Sequence, residues 1–160
     1  ISGGQSGADR AALDVAIAAH IPHAGYCPAQ RWAEDGSIDQ RYNLTCTPSH
    51  KPIIRTRKNV EQSDLTLVFT NGPATRGTAA TIYLARQQHK PCLHIDLQTT
   101  SDIDACSQIL DWLHNQFHAR LLKDPLILNI AGSRESICPG IYDRVLSIIS
   151  HLLDMLQQHT

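Results

Sequence analysis

The sequence lacks the features of a membrane protein, a disulfide-bonded domain and a zinc ribbon. No apolar run in its 160 residues approaches the roughly 20 residues that a membrane span requires. The five cysteines are odd in number and form no CxxC pair, which argues against a disulfide framework and a metal site. Because the net charge is only −1, neither a nucleic acid nor an anionic membrane is expected as the main partner.

What remains is an ordinary globular composition, 42% hydrophobic and 18% charged, long enough for one domain over residues 1–160. The sequence begins at Ile1 rather than Met, so we expect further residues before it. Strand-like and helix-like segments alternate, without internal repeats. This alternation predicts an α/β fold, a three-layer Rossmann-like domain with a mostly parallel sheet of about five strands flanked by helices.

The predicted strands are Ile1–Ser2, His23–Cys27, Leu65–Thr70, Cys92–Asp96 and Leu126–Ala131. The predicted helices are Ala8–His20, Pro52–Glu61, Thr78–His89, one that starts at a Ser101–Asp104 capping box, and one that starts near Gly140. The apolar stripe of the last helix suits core packing, with a subunit interface as the alternative. Residues 28–52 form the longest irregular segment, and loops of this length are typically functional or disordered.

Two common nucleotide motifs are also missing. The sequence contains no GxxxxGK[ST] loop, and Gly3–Gly7 does not fit GxGxxG. We therefore expect neither Walker-type nucleotide hydrolysis nor hydride transfer to a nicotinamide cofactor.

Glycine-containing turns nevertheless follow three of the predicted strands. Because parallel strands end at a common edge where ligands bind, these turns predict a binding site there. Glycine lets backbone amides approach a ligand, and a helix N-terminus stabilises phosphate. A tight turn without a ligand would explain one such turn, but three are harder to explain in this way. The proposed oxyanion sites are Gly3, Gly4, Gln5, Ser6 and Gly7 for the first, and Thr70, Asn71, Gly72, Arg76, Gly77 and Thr78 for the second; Gly132 and Ser133 form the third turn.

Several charged residues are candidates for the same site. Asp9 could contact the ligand or simply favour the dipole of its helix. Arg76 could donate two hydrogen bonds to a phosphate or remain a solvated loop charge. Further candidates for recognition of a ring or ribose at the rim are Arg31, Glu34, Asp35, Arg134 and Glu135, the last two of which could instead pair with each other.

Several segments together resemble the molybdenum-cofactor carrier family, the circularly permuted YpsA-like branch of the SLOG superfamily. They are Ser2–Asp14, Gly25–Pro28, Arg31–Gly36, Arg41–Tyr42, Arg55–Val60, Ser63–Asp64, Gly77–Thr78, Lys90–Cys92, Leu128–Ser136 and Pro139–Tyr142. The resemblance implies a cytoplasmic Rossmann-like protein that forms homo-oligomers. It also implies a phosphorylated ligand such as molybdopterin, with or without metal, and molybdoenzymes or cofactor-insertion proteins as partners.

The wider superfamily includes LOG phosphoribohydrolases, whose PGGxGTxxE motif ends in a catalytic glutamate. Here Asn71-Gly72-Pro73 stands in place of PGG, and Thr81 stands where the glutamate would be. Since a threonine hydroxyl cannot replace a carboxylate in this chemistry, we assign no catalytic residue and favour a binding or carrier protein. An enzyme that uses another carboxylate, and a nucleotide sensor, remain alternatives.

Overall fold

The computed structural model describes residues 1–119 and 125–158, which form a layered arrangement of helices and mostly parallel strands. In chain order the elements are α1 (Ala8–Ala18), β1 (Tyr26–Cys27), a 3-10 turn (Ala29–Arg31), β2 (Trp32–Ala33), β3 (Gly36–Ser37), β4 (Thr45–Cys46), α2 (Pro52–Glu61), β5 (Leu65–Thr70), α3 (Arg76–Gln87), β6 (Cys92–Asp96), α4 (Asp102–Ala119), β7 (Leu128–Gly132) and α5 (Ile141–Gln158).

The central sheet has three parallel strands in the order β6-β5-β7. All six residues of β5 are buried, as expected for a parallel strand that is covered by helices on both faces. Leu65, Leu67 and Phe69 pack into a core with α1, α4 and α5. Helices α2 and α3 form a smaller cluster around Val60 and Leu84. These layers confirm the predicted α/β class.

The predicted sheet of about five strands is divided. The segment at Ile1 bonds to β7 without becoming a regular strand, since the Ile130 amide donates to the Ile1 carbonyl at 3.0 Å. On its other side, the Ser2 amide donates to the Ala24 carbonyl at 3.1 Å. A separate parallel pair, β1 and β4, lies beyond it. Gly25 passes so close that an added Cβ would lie 1.9 Å from the Ser2 oxygen, and the predicted strand over residues 23–27 is two residues long, Tyr26–Cys27.

Most other element boundaries agree with the prediction. Helix α2 and strands β5 and β6 have the predicted bounds, while α3 begins two residues earlier than predicted, at Arg76. The capping box is present, because the Asp104 amide donates to the Ser101 hydroxyl at 3.2 Å. Residues 28–52 are less irregular than expected, since they contain the antiparallel pair β2–β3.

The apolar stripe of α5 packs into the core, with Val145 and Ile148 almost fully buried. The core interpretation of this stripe is therefore correct. In residues 1–119 and 125–158, no helix has the length and apolarity to cross a membrane.

Candidate functional site

A cleft of about 420 Å³ opens at the edge where β5 and β7 end. Its walls come from the glycine turn before α1, the first turns of α2 and α3, and the segment after β7. The volume lies in the range of small-molecule sites. The lining residues are Gln5, Asp9, Pro52, Ile53, Arg55, Thr56, Thr75, Arg76, Gly77, Thr78, Ala80, Thr81, Ala131, Gly132, Ser133, Arg134 and Ile137.

The N-terminus of α3 forms one wall of the cleft. The Thr75 amide donates to the Thr78 hydroxyl at 3.0 Å, and the Thr78 amide donates to the Thr75 carbonyl, so this first turn is internally fixed. The first two amides of the helix, those of Arg76 and Gly77, precede these bonds, and the amides at a helix N-terminus carry a partial positive charge. An added Cβ at Gly77 would meet no atom within 4 Å, so a ligand can approach the backbone closely there.

A buried ion pair lies on the opposite wall. The Arg55 guanidinium donates to Asp9 Oδ2 at 3.1 Å, with side-chain exposures of 13% and 4%. Burial raises the pKa of Asp9 above its usual value, while Arg55 and the Gln5 amide oppose that shift. Gly3 lies directly beneath the pair, where an added Cβ would be 1.7 Å from Arg55 Nη1. Glycine at position 3 therefore leaves room for the arginine head.

The lining is electropositive and polar. Arg55, Arg76 and Arg134 face the cleft together with one carboxylate, that of Asp9. Two buried atoms, Gln5 Oε1 and Arg55 Nε, have no hydrogen-bond partner among the described residues. The cleft thus offers cationic groups for an oxyanion, and two of its lining residues, Gln5 and Arg55, each hold a buried polar atom without a partner among the described residues.

An apolar portion completes the rim. Ile53 and Ile137 line the cleft and are 37% and 61% exposed. Exposed apolar surface of this kind beside polar groups is typical of ligand sites.

The structure brings eight of the predicted site residues to the cleft. They come from all three predicted turns and from the loop charges: Gln5, Asp9, Arg76, Gly77, Thr78, Gly132, Ser133 and Arg134. The expectation that three strand-end turns meet at one edge is therefore consistent with the observed placement.

The other residues of the first glycine turn lie behind the lining. Gly4 has φ +75°, and an added Cβ there would lie 2.6 Å from a Leu44 methyl group. Gly7 has φ +80°, and an added Cβ would lie 2.4 Å from the Ser133 carbonyl oxygen. Positive φ and close neighbours both favour glycine. Contacts within the protein therefore account for these glycines, and for Gly3 and Ser6, without a ligand.

Thr70, Asn71 and Gly72 are not among the lining residues, and Thr70 and Gly72 bond to each other and to β6. The Thr70 hydroxyl donates to the Gly72 carbonyl at 2.7 Å, and the Gly72 amide donates to Asp96 Oδ1 at 2.7 Å. The hydrogen bond from the Gly72 amide stabilises the charged carboxylate, and the pKa of Asp96 lies below its usual value.

Arg31 does not lie at the rim. Its side chain is buried, and its guanidinium donates to the carbonyls of Ile38 at 2.8 Å, Asp39 at 2.7 Å, Tyr42 at 3.0 Å and Leu44 at 3.1 Å. With its donors used in this way, Arg31 organises the segment between β3 and β4. It is therefore not placed for recognition of a ring or ribose at the cleft.

Glu34 and Asp35 fasten the same segment to the protein. Glu34 accepts hydrogen bonds from the hydroxyls of Ser6 and Ser136, the latter at 2.6 Å, and lies 3.8 Å from Arg134. Burial alone would raise the pKa of Glu34, but the two serine hydrogen bonds outweigh it and hold the pKa below its usual value. Asp35 forms an ion pair with Arg10.

Glu135 does not pair with Arg134. Its carboxylate accepts hydrogen bonds from the Gly140 and Tyr142 amides, at 2.5 and 3.0 Å, at the beginning of α5. A carboxylate at a helix N-terminus is favourable, so the local structure accounts for this residue.

Arg55, Thr56 and Thr75 line the cleft without having been predicted as site residues. Arg55 shares a helix face with Asn59, but the Asn59 side chain turns to β1 and bonds to the Tyr26 amide at 2.7 Å. The available signal was that Arg55 belongs to the segment Arg55–Val60, which carries part of the family resemblance.

The chain matches the family described as the "Circularly permutated YpsA SLOG family" over residues 1–153. It belongs to this family. A crystal structure of a "Putative molybdenum carrier protein" from Syntrophus aciditrophicus SB is similar, with 42% sequence identity, a TM-score of 0.88, and coverage of 95% of this chain and 92% of that chain. No curated protein matches. The family membership confirms the resemblance, and the similar structure confirms the Rossmann-like α/β class.

Proposed function

We propose that this member of the family is a carrier that binds a phosphorylated, nucleotide-like cofactor in the cleft, with the molybdenum cofactor as its cargo. The observation that carries the proposal is that three arginines and only one carboxylate line the cleft beside the N-terminus of α3. A positive lining beside helix amides is suited to a phosphate. The similarity to a protein named as a molybdenum carrier supports the choice of cargo.

The remaining lining suits the ring portion of such a ligand. Ile53 and Ile137 provide apolar surface for a planar ring. Gln5 and Arg55, two polar residues of the lining, can meet the polar edge of the ring through the amide and the guanidinium. A pterin or purine uses both the apolar and the polar lining, whereas an inorganic anion uses only the cationic groups.

The lining favours a carrier over a phosphoribohydrolase. Thr81 is 4% exposed, and its hydroxyl donates to the Gly77 carbonyl at 2.9 Å, so it is part of the α3 backbone network. Among the lining residues the one carboxylate is Asp9, which is paired with Arg55. Hydrolysis of an N-glycosidic bond uses carboxylates that are free to act on the sugar.

The test is a ligand panel measured by thermal shift and titration calorimetry. It contains nucleoside monophosphates, NAD, a pterin phosphate, molybdate and molybdenum cofactor. A ligand that binds the native state raises the melting temperature by mass action. Gly77→Asp places a carboxylate in the open space where we expect the phosphate, and an acidic residue in a first helical turn does not disfavour the helix. Gly77→Ala is the matched control.

A second pair of variants tests the arginines. Arg76→Gln removes a cation that lines the cleft, while Arg57→Gln removes an exposed cation from α2 outside the lining. We expect molybdenum cofactor to stabilise the native chain, Gly77→Ala and Arg57→Gln, but to lose affinity for Gly77→Asp and Arg76→Gln. Equal affinity for all five proteins would contradict the assignment of the cleft.

Other results would point to the alternatives. Release of ribose 5-phosphate from a nucleoside monophosphate would replace the carrier with an enzyme. Stabilisation by a nucleotide but not by the cofactor, with a change of oligomeric state, would indicate a sensor. Homo-oligomerisation, cytoplasmic localisation, and molybdoenzymes or cofactor-insertion proteins as partners stay predictions of the family resemblance.

A further inference from the structure

Two thiols face each other at the ends of neighbouring strands, away from the residues that line the cleft. Cys27 and Cys46 are paired residues in the register of the parallel strands β1 and β4. Their Sγ atoms lie 3.7 Å apart. Neighbouring strands are about 4.8 Å apart, within the range of about 4.4–6.8 Å between Cα atoms that disulfides adopt. A rotation of the side chains can therefore join the two sulfurs without moving the strands.

We propose that Cys27 and Cys46 form a redox-modification site, a dithiol that a peroxide or an organic disulfide converts reversibly into an intramolecular disulfide. The other buried thiols have different surroundings. Cys106 Sγ lies 3.5 Å from the Ile148 carbonyl oxygen, and Cys138 Sγ lies 3.8 Å from that of Asn71. The β1–β4 pair is thus distinguished by the contact of one thiol with another.

The exposure of the two cysteines assigns their roles. Cys46 is exposed, whereas Cys27 is buried, so an oxidant in solution meets Cys46 first. Burial and the neighbouring Cys46 thiol raise the pKa of Cys27 to about 11, which keeps it protonated until a reaction partner is present. Cys46 is therefore the residue that reacts with the oxidant, and Cys27 is the resolving residue.

The chemistry balances with a peroxide as the oxidant. Cys46 Sγ, as the thiolate, attacks one peroxide oxygen; the O–O bond breaks, a sulfenic acid forms, and the leaving hydroxide takes the proton that the Cys46 thiol released and becomes the first water. Cys27 Sγ then attacks Cys46 Sγ; the S–S bond forms, the S–O bond breaks, and the leaving hydroxide takes the Cys27 proton as a second water. The two thiols lose two electrons in total, and the peroxide gains them. A dithiol reductant reverses the change by exchange.

The cross-link would join segments that support the cleft. Strand β4 precedes α2, and the Asn59 side chain of α2 brackets Tyr26, the neighbour of Cys27, with hydrogen bonds of 2.7 and 3.0 Å. The disulfide would therefore link β1 and β4, the strands that adjoin the helix carrying Arg55. The formation of the disulfide does not depend on the identity of any ligand.

The experiment treats the native chain with hydrogen peroxide, blocks free thiols with an alkylating reagent, and maps tryptic peptides by mass spectrometry. Cleavage at Arg10, Arg31, Arg41 and Arg55 places Cys27 and Cys46 in different peptides. Trypsin does not cut after Lys51, because Pro52 follows it, so the second peptide extends to Arg55. We expect loss of two thiols, a cross-linked pair of peptides 11–31 and 42–55, and a higher melting temperature, all reversed by dithiothreitol.

Variants test the assigned roles. Cys27→Ala should stop at a sulfenic acid on Cys46 that dimedone traps, Cys46→Ser should lose both the cross-link and the trap, and Cys92→Ser should behave as the native chain. Because the peptide map uses the native chain, a variant that fails to fold does not decide the outcome. Overoxidation of Cys46 without a cross-link, or oxidation of the other cysteines first, would overturn the proposal.

Discussion

A methyl group added at Gly3 should displace Arg55 and weaken the fold. The Cβ of Gly3→Ala would lie 1.7 Å from Arg55 Nη1 and 2.8 Å from Asp9 Oδ2. Since no positive φ is recorded at Gly3, the backbone itself tolerates alanine. The guanidinium can move into the open cleft, but Asp9 is then a buried carboxylate without its cation.

The magnitude follows from this loss. Breaking a buried ion pair by removing one partner costs about 3–5 kcal/mol, and we take the lower end, about 3 kcal/mol, because Arg55 can reach solvent. For a domain of this size, this corresponds to a fall of about 6–12 °C in the melting temperature. Gly77→Ala makes the same chemical change where no atom lies within 4 Å. It should be neutral or stabilise by up to about 1 kcal/mol, because alanine favours helix.

Urea unfolding followed by circular dichroism measures both variants. A cost for Gly3→Ala within about 0.5 kcal/mol of that for Gly77→Ala would refute the argument that Arg55 requires glycine at position 3. A double-mutant cycle tests whether Arg55 is the cause. On the Arg55→Ala background, Gly3→Ala should lower the free energy of unfolding clearly less, because the closest atom is gone. Full additivity would place the strain elsewhere.

The remaining predictions concern the contacts that fix the segment over residues 28–52 and α5. Arg31→Lys should lower the free energy of unfolding by about 2–4 kcal/mol in urea, because an ammonium cannot serve four separate carbonyls, while exposed Arg57→Lys should change it little. Glu34 has a lowered pKa in the folded state, so its stabilisation is present above about pH 4.3 and is lost as the pH falls through the folded pKa; acid titrations of the melting temperature should be flatter in this range for Glu34→Gln. Tyr142→Phe removes the 2.7 Å hydrogen bond to Asp14 and should cost about 1 kcal/mol in thermal unfolding, and an unchanged melting temperature would show that the bond is not used in solution.

Local sequence signals predicted the centre of the fold but not the edge of its sheet. Strand β5 is a continuous apolar run, and Pro52 begins α2 at a position that suits proline, so both elements have the predicted bounds. The β1–β4 pair contains two residues in each strand, and its neighbour on the other side is the segment at Ile1. Such pairing depends on contacts between distant parts of the chain, which a local pattern does not encode.

The sequence predicted the edge of the sheet at which the cleft lies, but it predicted the individual lining residues less well. Gly77 and Gly4 look alike in sequence, but the first faces open space and the second packs against Leu44. An arginine in a long polar segment is usually solvated, whereas Arg31 is buried by carbonyls of its own loop. Sequence identifies where glycine and arginine stand, and only the fold shows whether a ligand or the protein itself requires them.

This distinction changes how the two glycine turns contribute to the proposed binding. At Gly77 the absence of a side chain leaves room for the ligand, so the carboxylate of Gly77→Asp should block binding and leave the fold stable. At Gly3 the absence leaves room for Arg55, so a larger residue should impair binding indirectly, by displacing a cation that lines the cleft. Both turns then contribute to the same positive cleft, the turn at Gly77 directly and the turn at Gly3 through the Asp9–Arg55 pair. This arrangement requires that Gly3→Ala lowers both ligand affinity and stability, whereas Gly77→Asp lowers ligand affinity alone.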